Sequence, residues 1–98
     1  MISSKQRAFL RAMANSIDTI QQIGKQGINE NLIKQVEEAL TARELIKLRV
    51  LETSPDSARE TAQKLAETTE SDIVQVIGSR IVLFKQNEKK PVIDIKKI

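Results

Sequence analysis

Five residues, Ile46-Lys47-Leu48-Arg49-Val50, constrain this chain more than any other stretch. Apolar and cationic side chains alternate strictly. A strand turns successive side chains to opposite faces, so Glu44 to Leu51 reads as a half-buried strand. Its apolar face demands a layer packed against it. Its other face carries two positive charges that must find solvent, a carboxylate or a polyanion. A lone strand is unstable in water, so the rest of the chain has to supply a sheet and its cover.

Ninety-eight residues make one domain. The periodicity along them reads helix, strand, helix, strand, helix, strand, strand. Ser3 and Gln6 have the capping-box spacing, and Phe9, Leu10, Met13 and Ile17 follow at helical intervals as one buried face. A short strand, Thr19 to Ile23, stops at Gly24-Lys25-Gln26-Gly27. Asn29 is placed to cap a second helix with Leu32, Ile33, Val36, Ala39 and Leu40 as its stripe. Ser54-Pro55 reads as the start of a third helix, with a cap and a proline at its first position. That helix turns the small residues Ala58, Thr61, Ala62 and Ala66, with Leu65, inward. Ile73 to Ile77 and Ile81 to Lys85 are strands joined through Gly78-Ser79-Arg80, where glycine then serine suits a type II′ hairpin turn. The expected architecture is an α/β two-layer sandwich with a mixed four-stranded sheet and three helices. The domain spans residues 1–86. Residues 87–98 are expected to form a basic, flexible tail that Pro91 bars from a central strand.

The composition excludes most chemistry. Cysteine, histidine, tyrosine and tryptophan are all absent, which removes the usual general bases, strong nucleophiles and transition-metal ligands. No enzyme, cofactor, metal or small-molecule substrate is expected. The longest apolar run, Ile81 to Phe84, is far short of the ~20 residues a membrane span needs. No charged-then-apolar signal segment opens the chain, and the expectation is a cytoplasmic monomer.

The formal charge of +3 is unevenly spread. Both ends are basic, and residues 52–72, which include the third helix, are acidic. Such polarity is the electrostatic footprint of a polyanion binder, or simply of a solvated surface. The loop Gly24–Gly27 sharpens the first reading. Two glycines allow close backbone approach. The following helix offers free N–H groups and the positive end of its dipole, and Lys25 adds a full charge. G-x-x-G loops clamp nucleic-acid backbone in KH modules, although there the loop joins two helices. Gly-Lys lacks the Ser or Thr of a nucleotide P-loop, and no third glycine completes a dinucleotide fingerprint.

From Ser4 to Gln86 the chain resembles the CRM (chloroplast RNA splicing and ribosome maturation) domain, and more closely its stand-alone bacterial YhbY-like members. The resemblance rests on Lys5-Gln6-Arg7 with Leu10-Arg11, on Ile23-Gly24-Lys25-Gln26-Gly27-Ile28, on Glu44 to Val50, and on Val74 to Gly78 leading into Ile81 to Lys85. It implies a fold similar to the C-terminal domain of translation initiation factor three. It also implies RNA binding, with association to precursors of the large ribosomal subunit. The family's loop falls on Gly24, Lys25, Gln26 and Gly27, and its basic helix positions on Arg7 and Arg11. Lys5, Lys47, Arg49 and Arg80 complete the candidate RNA-binding residues. Lys47 and Arg49 either extend an open basic face or pair under the tail with acids such as Asp94. With two phenylalanines as the sole aromatics, both at core-spaced positions, an aromatic stacking sheet is excluded. The alternative is a non-catalytic adaptor that docks its acidic third helix (Asp56, Glu60, Glu67, Glu70) on a basic protein.

Overall fold

In a computed structural model, which describes residues 2–98, Ser3 opens helix α1 (Ser4–Ala14) through the expected capping box. Its Oγ accepts from Gln6 N at 3.1 Å, and Gln6 Oε1 accepts from Ser3 N at 2.8 Å. Strand β1 (Thr19–Ile23) leads to helix α2 (Glu30–Arg43), capped by Asn29 Oδ1 on Leu32 N at 2.8 Å. Strand β2 (Leu45–Val50), helix α3 (Ala58–Thr69) and the hairpin of β3 (Asp72–Ile77) and β4 (Arg80–Phe84) follow, then a short 3-10 turn at Ile95–Lys97. The order α-β-α-β-α-β-β and the mixed four-stranded sheet agree with the sequence reading.

The sheet runs β1-β2-β4-β3, with β1 parallel to β2 and the other two pairs antiparallel. α2 and α3 cover one face. Leu32, Val36 and Leu40 of α2 and Ala62 and Leu65 of α3 close there over Ile46, Leu48, Ile81 and Leu83. A fully buried leucine contributes roughly 1.5–3 kcal/mol, so each of these anchors matters to so small a domain. α1 and the C-terminal segment add a partial layer on the opposite face, where Leu10, Ala14 and Ile95 pack on Leu45, Val74, Val82 and Phe84. That layer covers only one end of the sheet, the end where β2 begins.

Glu44 holds this end together. Read from the sequence as the first residue of a strand, it is the C-cap of α2, with φ +65° and no exposure to solvent. Its carboxylate accepts from the backbone N–H groups of Asn87 (2.5 Å), Val92 (2.6 Å) and Ile93 (2.5 Å), and its carbonyl accepts from Lys85 N at 2.9 Å. Several backbone donors on one buried carboxylate satisfy its lone pairs without a cation and dock the tail against β2.

Other local expectations are corrected by competing bonds. α3 begins three residues later than expected, because Ser57 rather than Ser54 forms a capping box with Glu60 (3.1 and 3.2 Å). Ser54 instead accepts from Asp56 N within the preceding loop at 3.3 Å. α1 ends at Ala14, short of Ile17. Phe9 is 44% exposed while Phe84 is buried, since the α1 stripe is centred on Leu10 and Ala14 and leaves Phe9 on its flank. Only the first turn residue of the hairpin, Gly78, has positive φ (+56°), which fits the type II′ turn.

Candidate nucleic-acid interface

The sheet topology brings three loops to one end. Because β1 and β2 run parallel, both finish there, and the antiparallel β3–β4 hairpin turns at the same level. Leu51 N donates to Ile23 O at 2.8 Å and Val50 N to Ser79 O at 2.7 Å, which ties the three ends together. The N-termini of α2 and α3 are joined to this end by loops Gly24–Ile28 and Leu51–Ser57.

Gly24-Lys25-Gln26-Gly27 is a β-turn closed by Gly27 N on Gly24 O at 2.9 Å, with Lys25 and Gln26 exposed at its tip. Gln26 Oε1 accepts from Asn29 Nδ2 at 3.4 Å, which links the tip to the cap of α2. The two glycines differ. Gly27 has φ +62°, and a Cβ there would sit 2.8 Å from Pro55 Cγ; at Gly24, where φ is not positive, the nearest atom would be Thr53 Oγ1 at 3.4 Å. The turn itself therefore requires Gly27 and leaves Gly24 unexplained by shape.

Across the sheet, Gln22, Arg49, Arg80 and Ile77 are successive register partners, one from each strand. All four are exposed, Ile77 to 60%. Paired residues share a face, so Arg49 and Arg80 stand side by side on the face that α1 and the tail leave open. Arg80, expected in the hairpin turn, is thus the first residue of β4. One step back, Lys47 is half-buried among Thr19, Val82 and Gln75. Like charges directly opposite one another destabilise a strand pair. Among the described residues no carboxylate lies within 4.0 Å of Lys47, Arg49 or Arg80; the ion pairs found are Lys64–Asp56 and Lys97–Asp94. Asp94 therefore bonds within the tail rather than with either cation; Arg49 stands on the open face and Lys47 lies half-buried at its margin.

The remaining candidates are more dispersed. Arg7 is half-buried, and its Nε donates to Ile73 O at 3.3 Å, which pins α1 to β3. Lys5 and Arg11 are exposed on α1. The tail runs along the Gln6 side of the helix, where Gln6 Nε2 donates to Ile95 O at 3.1 Å. Arg7 and Arg11, four apart on α1, share a flank of the helix away from Gln6, with Arg7 on the β3 side. Lys85, at the last motif of the resemblance, spends its ammonium on Thr69 O at 2.9 Å, the carbonyl that ends α3. Gln21, Asn31 and Gln35, which sequence reasoning passes over, line open clefts beside the loop. Their signal in the sequence is faint: uncharged amides at positions that also suit ordinary solvated surface.

This arrangement defines a class of protein: a small mixed α/β sheet whose one open end gathers a glycine-bounded lysine turn and an unpaired arginine couple. The chain belongs to the CRS1/YhbY (CRM) domain family, whose profile matches residues 2–85. It is 42% identical over 95 residues to Probable RNA-binding protein YqeI of Bacillus subtilis, covering 97% of this chain and 99% of that one. Probable RNA-binding protein MJ0652 of Methanocaldococcus jannaschii is 33% identical over 105 residues (98% and 78% of the two chains). The solution structure of the hypothetical protein SAV1595 from Staphylococcus aureus, described as a candidate RNA binder, superposes with a TM-score of 0.77 at 50% identity. That match covers 90% of this chain and 92% of the other. No helix among the described residues is long and apolar enough to cross a membrane.

Proposed function

We propose that this protein is a non-catalytic RNA-binding protein that sets the open end of its sheet on the phosphates of structured RNA. It acts as a cytoplasmic monomer that associates with precursors of the large ribosomal subunit and assists their assembly. The observation that carries the reading is the Arg49–Arg80 couple, exposed and, among the described residues, without a carboxylate within 4.0 Å. A fold gains nothing from opposing two guanidinium groups; a phosphate between them converts the repulsion into two charge-assisted contacts. Lys25 and the free N–H groups of the first turn of α2 add donors at the same end, and Arg7, Arg11 and Lys5 supply charge on the flanking helix. The RNA-binding names of its relatives support the partner class.

The test is a salt titration of binding to a large-subunit RNA fragment, with duplex DNA as control. Each phosphate neutralised contributes about 0.7–0.9 to the slope of log affinity against log salt. Lys25→Ala is expected to weaken binding and to flatten the slope by about one such contact. Equal slopes for the two proteins would remove the loop from the interface. Sedimentation of cell extract at low salt checks the ribosomal part, which fails if the protein stays wholly at the top of the gradient.

A further inference from the structure

The edge strand β1 and helix α2 enclose a groove that the cationic surface does not explain. Two adjoining clefts, of about 300 and 360 Å³, share Gln21 and Gln35; the first reaches Gly24–Gly27 and the second ends at Arg43. β1 lies at the margin of the sheet, so no further strand closes the groove. Gln21, Asn31 and Gln35 line the first cleft, and among the described residues their side-chain amides have no hydrogen-bond partner in the protein. Asn31 and Gln35 are four apart, hence on one face of α2. Among the described residues no carboxylate and no aromatic ring lines that cleft.

Lysine and arginine offer donors only, which suits phosphate. A carboxamide offers a donor and an acceptor side by side, which suits the edge of a base, and adenine best of all. We infer that the groove between β1 and α2 holds an unpaired base of the bound RNA strand, read by the carboxamides of Gln21, Asn31 and Gln35. The inference rests on the proposed RNA binding and deepens it. The strand is held by its phosphate at Lys25 and runs along the groove toward Arg43. Without a ring to stack on, the base is recognised by hydrogen bonds alone. Sequence preference and salt dependence are thus carried by different residues.

The experiment measures binding of oligo(A), oligo(U) and oligo(C) ribonucleotides of equal length at one salt concentration, then the salt slope of each. The wild-type chain is compared with Asn31→Ala/Gln35→Ala. Both positions are exposed on α2, where alanine favours the helix, and circular dichroism checks the fold. The wild type should prefer oligo(A) by about tenfold. The double variant should lose that preference with its salt slope unchanged, because no charge has been removed. A preference that survives in the double variant, or a wild type that binds all three equally, would overturn the inference and leave the phosphate-binding reading standing. If the wild type bound none of the three yet bound the large-subunit RNA fragment, this inference alone would fall; if it bound neither, the RNA reading would fall with it.

Discussion

Gly24 and Gly27 bracket the same turn and are held by different physics. Gly27 is in the left-handed region with Pro55 packed where a Cβ would go, so Gly27→Ala should destabilise the fold by about 1–3 kcal/mol through backbone strain and overlap. Gly24→Ala meets only ordinary contacts, and the stiffer unfolded chain should leave stability unchanged or raise it by about 0.4–1 kcal/mol. Its cost should appear in RNA affinity, where a methyl group blocks close approach to the backbone. Urea denaturation and RNA titration of the two variants separate the roles; a large stability loss at Gly24 would make it a structural glycine too. The sequence shows both glycines equally and cannot rank them, because the difference lies in one φ angle and in a proline 28 positions away in the chain. Glu44 is a similar case. Its place next to Leu45-Ile46 suggests a strand, and nothing local reveals that three tail amides converge on its carboxylate.

At the scale of elements, the alternation in β2 made one strand face apolar and one cationic before any neighbour was known. The pairing with β4 gave the cationic face its meaning, by setting Arg80 against Arg49. Arg80→Thr tests this directly. Relief of the like-charge pair, with a residue that favours strands, should raise stability by about 0.2–1 kcal/mol. The same change should weaken RNA binding and shallow its salt slope. A variant that is less stable, or that binds as well as the parent, would show that the couple is not a phosphate site. The capping boxes of α1 and α3 belong to this scale as well. The first was legible because nothing competed for Ser3. The third helix begins three residues later than Ser54-Pro55 suggests, because only Ser57 has an acid three residues on, Glu60, to close a capping box, and the side chain of Ser54 is taken up by the loop.

Over the whole molecule, charge is sorted by face. The cationic rungs occupy the open face of the sheet, whereas Glu60, Glu67 and Glu70 ride on α3, which packs on the other face. Asp56 is already engaged with Lys64 at 3.1 Å. An RNA bound to the open face therefore sits away from the acidic helix. Glu67→Gln/Glu70→Gln should leave the salt slope of RNA binding unchanged and alter affinity by less than about threefold, as expected for screened charges beyond a Debye length of ~8–10 Å. A protein adaptor that docks through α3 would behave in the opposite way, losing its partner with those acids while tolerating Lys25→Ala. Affinity capture of the double variant beside Lys25→Ala decides between them.

The residue order alone determined what depends on near neighbours: three amphipathic helices, four short strands, the N-caps at Ser3 and Asn29, and the lysine turn between glycines. These follow from periodicity and from hydrogen bonds spanning three or four residues, which leave a direct trace in the sequence. The tertiary structure alone decided which charges meet. The pairing of Arg80 opposite Arg49, the burial of Glu44 beneath the tail and the groove between Gln21 and Gln35 all join residues far apart in the chain. The physical reason is register. Pairing two strands fixes every cross-strand contact at once, and no property of either strand read singly contains that choice.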